Sequence, residues 1–125
     1  MKKVLATSTA PAAIGPYSQG IDGGSVVITS GQLPVDASTG AFVEGGIAAQ
    51  TRQALENVKA ILAQAGLGME NIIKTTVFLK DMNDFAAMNE AYAAFVPGEP
   101  PARSAVEVAR LPKDARLEIE AIAVR

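Results

Sequence analysis

Arg103 enters a predicted strand in Ala102-Arg103-Ser104-Ala105-Val106-Glu107-Val108, among neighbours that are mostly small or apolar. A guanidinium in such a place suits a planar anion, because its fork of N–H donors matches a carboxylate in two parallel hydrogen bonds. Two glutamates follow in Leu117-Glu118-Ile119-Glu120-Ala121-Ile122-Ala123-Val124, a second run with strand alternation. A fixed cation and a carboxylate on adjacent strands would make a pocket for a small carboxylic acid, with the glutamate left to handle a proton or a water. The same residues also fit an ordinary cross-strand ion pair on a solvated face. Glu118 and Glu120 share strand parity, so alternation does not choose between them.

The rest of the composition restricts the chemistry. The chain has 125 residues, no histidine and no cysteine. Zinc sites of the usual kinds, Ser-His and Cys-His nucleophiles, redox dithiols and disulfides are therefore excluded. Nearly half the residues are apolar and the formal net charge is −2, values typical of a globular protein. Basic residues are scattered, with Lys2-Lys3 the only adjacent pair, so the electrostatic footprint of a nucleic-acid binder is missing. The opening Met1-Lys2-Lys3-Val4-Leu5-Ala6 has the charge of a signal peptide's first region, but Thr7, Ser8, Thr9 and Pro11 interrupt the apolar run that would have to follow. It reads as the first strand of a cytoplasmic protein, and no run is long enough to span a bilayer.

The elements that must position Arg103 and Glu118 follow from the changes in periodicity. Lys2 to Ala6 is a short strand, Pro11 to Pro16 a loop that delivers Tyr17, and Ser25 to Leu33 a β-branched strand ending at Pro34. Asp36 to Gly40 is a turn, with Gly45-Gly46 closing a hairpin region. From Ile47 to Ala65 apolar residues recur at helical spacing, and Gly66 stands where a helix-ending glycine belongs. Ile72 to Lys80 returns to strand residues. Asp81 or Asn83 then caps a second helix, whose face is Phe85, Met88, Tyr92 and Phe95 and which Pro97-Gly98 stops. Arg103 to Ala109 and Arg116 to Val124 complete a β-β-β-α-β-α-β-β order in one domain, residues 1–125. The expected fold class is α+β: two helices packed on one face of a mixed or mostly antiparallel sheet. The other face carries Ile122 and Val124 beside Glu118 and Glu120, apolar enough to predict a homo-oligomer that covers it and a site at the seam between subunits.

Five segments carry a family resemblance: Ala13-Ile14-Gly15-Pro16-Tyr17-Ser18-Gln19-Gly20, Ile28-Thr29-Ser30-Gly31-Gln32, Lys74-Thr75-Thr76-Val77-Phe78-Leu79, Pro101-Ala102-Arg103-Ser104 and Leu117-Glu118-Ile119-Glu120-Ala121. In order, and across essentially the whole chain, they resemble the signature segments of the Rid (YjgF) family, most closely its RidA branch. The resemblance implies a chorismate-mutase-like subunit, a homotrimer with clefts between subunits, and cofactor-free hydrolysis of 2-imino acids such as 2-iminopropanoate and 2-iminobutanoate to keto acids and ammonia. By position it implies that Arg103 binds the substrate carboxylate and Glu118 positions the hydrolytic water. Tyr17 and Asn89 would help to line the cleft, and Gly31 and Ala105 would contribute backbone groups. Neither a metal nor a cofactor is implied.

The chain departs from the family pattern in two places. Ala105 stands where many members carry cysteine, and the loop Val96-Pro97-Gly98-Glu99-Pro100 is short, with proline where an aromatic residue often precedes Pro-Ala-Arg. The alternatives to the enzyme are a trimer that binds small carboxylates without turnover and, as some relatives are described, a ribonuclease or translation inhibitor. The weakly acidic composition disfavours the latter.

Overall fold

The computed structural model describes residues 1–125. Its elements are β1 (Lys3–Leu5), β2 (Gly20–Asp22), β3 (Val26–Thr29), β4 (Val35–Asp36), β5 (Ala41–Phe42), α1 (Gly46–Ala63), β6 (Ile72–Leu79), α2 (Phe85–Ala93), β7 (Ala102–Glu107) and β8 (Leu117–Val124). Six strands form one sheet in the order β1-β2-β3-β8-β6-β7, and β4 pairs only with β5. Only β6 and β7 run parallel; the other main-sheet neighbours are antiparallel. The expected α+β class, the mixed sheet and both helices are present.

The helix α1 is held by its amphipathic face. Leu55, Val58, Ile61 and Leu62 are at most 1 % exposed and pack on Val27, Ala121 and Ala123 toward one end of the sheet and on Val77, Leu117 and Ile119 toward the other. Truncating one of these leucines to alanine would cost about 2–5 kcal/mol, since the cavity fills only in part. Gly66 ends the helix as expected, at φ 74°, with the Leu67 N–H donating to Leu62 O at 3.1 Å and the Gly66 N–H to Ala63 O at 3.0 Å. The second helix starts after a 3₁₀ turn, Met82–Asp84, where the Asp81 side chain accepts from the Asn83 N–H at 2.8 Å.

The strand expected over Ser25–Leu33 is shorter than its β-branched pattern suggested. Ladder pairing with β8 stops at Ile28↔Ile122 and resumes at Gln32↔Ile119, so residues 29–31 stand opposite the two residues 120–121. This is a bulge, and the Thr29 hydroxyl takes up the freed Ala121 N–H at 3.1 Å. The strand β2 was not expected: Gly20-Ile21-Asp22 is too short for alternation to register.

The helices cover one face. On the other, register places Val4, Ile21, Ile28 and Ile122 in a row across β1, β2, β3 and β8, with Lys74 of β6 next. Val4, Ile28 and Ile122 are exposed there.

Candidate functional site

Glu118 lies on the uncovered face. Its neighbours Leu117 and Ile119 are fully buried toward the helices, so strand alternation turns Glu118 outward. Its carboxylate rests against Gly31: a Cβ on Gly31 would stand 2.5 Å from Glu118 Oε1 and 2.7 Å from its Cδ. Only glycine leaves that space, and the bulge presents it there. Burial, and secondarily the charge of Glu120, push the Glu118 carboxyl above the usual carboxylate range. Glu118 belongs to none of the chain's three ion pairs.

Beside it runs a groove of about 540 Å³ whose wall includes Tyr17, Gly31, Gln32, Lys113 and Glu118. Buried Gln19 ties down the loop that carries Tyr17. Its amide donates to the carbonyls of Thr7, Ala10 and Pro11 at 3.0, 3.1 and 2.7 Å and accepts from the Thr7 N–H at 2.7 Å. The Ser30 hydroxyl donates to Ser18 O at 2.6 Å, fastening the same loop to the bulge. Tyr17 itself is 49 % exposed, so it faces the groove and does not plug the core. Beneath the groove residues Leu33 and Val35, fully buried Asn57 of α1 donates to Leu33 O at 3.1 Å and Val35 O at 2.9 Å, anchoring the chain beyond Gly31. Lys113 and Asp114, at the groove's edge, hold left-handed backbone with φ 56° and 55°.

Arg103 lies elsewhere. It pairs in register with Thr75, a buried residue on the helix-covered face, and its guanidinium carbon sits 4.9 Å from the centroid of the Tyr92 ring and 5.5 Å from that of Phe85. Asn89 is half-buried on the same stripe of α2, four residues after Phe85 and three before Tyr92. Ala105 shares the inward parity of Arg103 and packs against the core. The strand is an edge, and the Val108 N–H donates to Leu79 O at 2.9 Å. Alternation therefore spends the backbone groups of residues 104, 106 and 108 on β6 and leaves those of Arg103 and Ala105 on the free edge.

Two sequence expectations need correction. Arg103 and Glu118 are not on adjacent strands: β6 intervenes and the side chains emerge on opposite faces, because their parities relative to β6 differ. The cross-strand ion pair is also absent, since the pairs present are Arg110–Asp114, Arg116–Asp84 and Arg125–Asp22. The six candidate residues fall into two groups, Tyr17, Gly31 and Glu118 in the groove and Arg103, Asn89 and Ala105 around the free edge of β7. Sequence reading placed Phe85 and Tyr92 only in a core face, although their spacing around Asn89 was visible. Nothing in the sequence pointed to Gln19 as the anchor of the Tyr17 loop. No three His, Cys, Asp or Glu side chains converge as a metal site, and no helix is long and apolar enough to cross a membrane.

The Endoribonuclease L-PSP family profile matches residues 7–125. A Salmonella typhimurium protein named 2-iminobutanoate/2-iminopropanoate deaminase is 63 % identical over 128 aligned positions, covering 100 % of this chain and 99 % of its own. The crystal structure of Escherichia coli TdcF with bound serine superposes with a TM-score of 0.95 at 56 % identity, covering 98 % of each chain. That of the Escherichia coli YjgF gene product gives 0.95 at 60 % identity, again over 98 % of each.

Proposed function

From the chain's membership of the Endoribonuclease L-PSP (YjgF/Rid) family, to which it belongs by sequence and fold, we propose that it is a 2-imino-acid deaminase. It converts 2-iminobutanoate and 2-iminopropanoate to 2-oxobutanoate and pyruvate with release of ammonia. The observation that carries this reading is identity above 60 % over essentially full length to a protein of that name. The separate anion fork and half-buried carboxylate supply chemistry that fits it.

A protonated imine is already an electrophile, so the protein has only to hold it and deliver water. Arg103 takes the substrate carboxylate in its fork while free backbone groups of Ala105 lie beside it and Asn89, on the stripe of α2 between Phe85 and Tyr92, helps to line the cleft. The Glu118 carboxylate, ionised, holds a water and takes one of its protons as the oxygen adds to C2; it returns that proton to nitrogen, then takes the hydroxyl proton as the C–N bond of the carbinolamine breaks, and the departing ammonia carries that proton away as ammonium. One water is consumed and one ammonia leaves. The bound serine of TdcF, itself an α-amino acid, fits a site for small carboxylates in this fold.

Because Arg103 and Glu118 emerge on opposite faces, one substrate can meet both only if they come from different subunits. This supports a homotrimer in which the groove of one chain receives the β7 edge of the next, and the exposed row Val4, Ile28 and Ile122 gives the bare sheet face reason to be covered. The absence of cysteine suits a cytoplasmic location. A ribonuclease reading, suggested by the family's description, has neither a basic surface nor a histidine behind it.

The test is ammonia release from 2-iminobutanoate generated in place by a dehydratase. Release should accelerate in proportion to added protein; an unchanged rate, with 2-oxobutanoate still bound, would make the trimer a carboxylate sensor.

A further inference from the structure

Where this chain fixes an arginine with charge, it uses a carboxylate. Arg116 donates to both oxygens of Asp84 at 3.1 Å, and Arg125 donates to those of Asp22 at 2.9 and 2.8 Å. Arg103 is half-buried and has no such partner. Instead it has the two rings of α2, Tyr92 at 4.9 Å and Phe85 at 5.5 Å. The distinction matters chemically: a carboxylate would neutralise the guanidinium and occupy its fork, whereas a ring face attracts the cation through its quadrupole and consumes no in-plane N–H.

Tyr92 is itself held. It is 7 % exposed, and its hydroxyl shares a 2.6 Å hydrogen bond with Thr75, the register partner of Arg103 on β6. Thr75, Tyr92 and Arg103 thus tie β6, α2 and β7 together, and Phe85 stands seven residues before Tyr92 on the same helix face.

We propose that Phe85 and Tyr92 are positioning residues that aim the Arg103 guanidinium at the substrate carboxylate while leaving all its donors free. This rests on the assignment of Arg103 as carboxylate receptor and deepens it by saying what orients the fork.

The experiment measures 2-oxobutanoate binding by calorimetry and 2-iminobutanoate hydrolysis by ammonia release, using the whole protein and the variants Phe85→Leu, Tyr92→Leu and Tyr92→Phe, with melting temperatures to establish folding. In both leucine variants the Kd for 2-oxobutanoate and the KM should rise about five- to tenfold, with kcat changed by no more than about twofold. Tyr92→Phe keeps the ring and should stay within about twofold of the unmodified protein. In the Tyr92→Leu background, Arg103→Lys should weaken binding less than it does alone, because the planar group has lost its guide. The proposal is overturned if a folded leucine variant binds 2-oxobutanoate normally, or if Tyr92→Phe is as damaging as Tyr92→Leu, which would place the effect in the Thr75 hydrogen bond. It is also overturned if the unmodified protein does not bind 2-oxobutanoate. Should Tyr92→Leu fail to fold, Phe85→Leu, at the start of α2, decides alone. If the unmodified protein binds 2-oxobutanoate yet leaves hydrolysis unaccelerated, the deaminase reading falls while weakened binding in the leucine variants still upholds the positioning role.

Discussion

Arg103 and Glu118 emerge from opposite faces of the same sheet with β6 between them. Each is also without an ion-pair partner. In a protein whose other half-buried charges include the Arg116–Asp84 pair, where one guanidinium nitrogen donates to both carboxylate oxygens, two uncompensated groups of opposite sign are costly unless something else meets them. A substrate bearing both a carboxylate and an electrophilic carbon, bound between two subunits, would meet one with each end.

The first prediction concerns subunit sharing. Arg103→Ala should abolish turnover and Glu118→Gln should cut it by about 10² or more, but co-refolding equal amounts of the two should restore about a quarter of the unmodified activity, the chance that a randomly assembled interface draws both intact halves. A mixture as inactive as its components would place both groups in one chain's site or outside the site altogether. A stable monomer in sedimentation would remove the shared site by a different route.

Arg103→Lys keeps the charge but loses the planar fork. It should lower kcat/KM by about 10² or more, with the melting temperature within a few degrees of the unmodified protein. Near-normal turnover would mean that charge alone suffices.

Gly31→Ala tests the packing under Glu118. The added methyl would fall 2.5 Å from Glu118 Oε1, and the flexible end of that side chain can yield, so the fold should survive while the carboxylate is displaced. Activity should drop at least about tenfold with little change in 2-oxobutanoate binding. If the alanine variant turns over normally, the position of the carboxylate is not what matters.

Glu118→Gln should slow hydrolysis by about 10² or more, and Glu120→Gln should leave the neutral-pH rate nearly intact. Their acid limbs should differ. The Glu118 carboxyl is raised by burial and, less, by Glu120, so its active ionised form is lost as pH falls through a value above the ordinary glutamate range. Removing the Glu120 charge should move that limb to lower pH. On the stability side, the cost of the buried carboxylate is absent at low pH and sets in as pH rises through the same folded-state value. An acid limb unmoved in Glu120→Gln would exclude coupling between the two.

The Arg125–Asp22 pair gives a check independent of function. Hydrogen bonding from Arg125 first, and from the Gly24 N–H, holds the Asp22 carboxyl down at about 2 against an ordinary 3.8. Its contribution is therefore present above pH 3.8 and lost as pH falls through about 2. In Arg125→Ala, the Asp22 carboxyl should titrate closer to its ordinary value in an NMR pH series.

Much of this protein was legible in its residues. The helical stripe of α1 with Gly66, the two helices, the strand around Arg103 and the outward parity of Glu118 all follow from side-chain period and special backbone residues, which are local properties. The same locality explains what was missed. A three-residue strand such as β2 carries no period, and the bulge that shortens β3 arises because one more residue stands on its side of the ladder than on the facing part of β8. Parity could say that Glu118 points away from Leu117; it could not say that β6 would insert between β7 and β8, because strand order is set by how α2 crosses from β6 to β7 and packs on the sheet. That tertiary choice separates Arg103 from Glu118, lays the rings of Phe85 and Tyr92 against the guanidinium, and brings Gly31 under a carboxylate 87 residues further along the chain. Sequence determined which groups are present and which way each one faces along its own strand; only the packed sheet decided which of them meet.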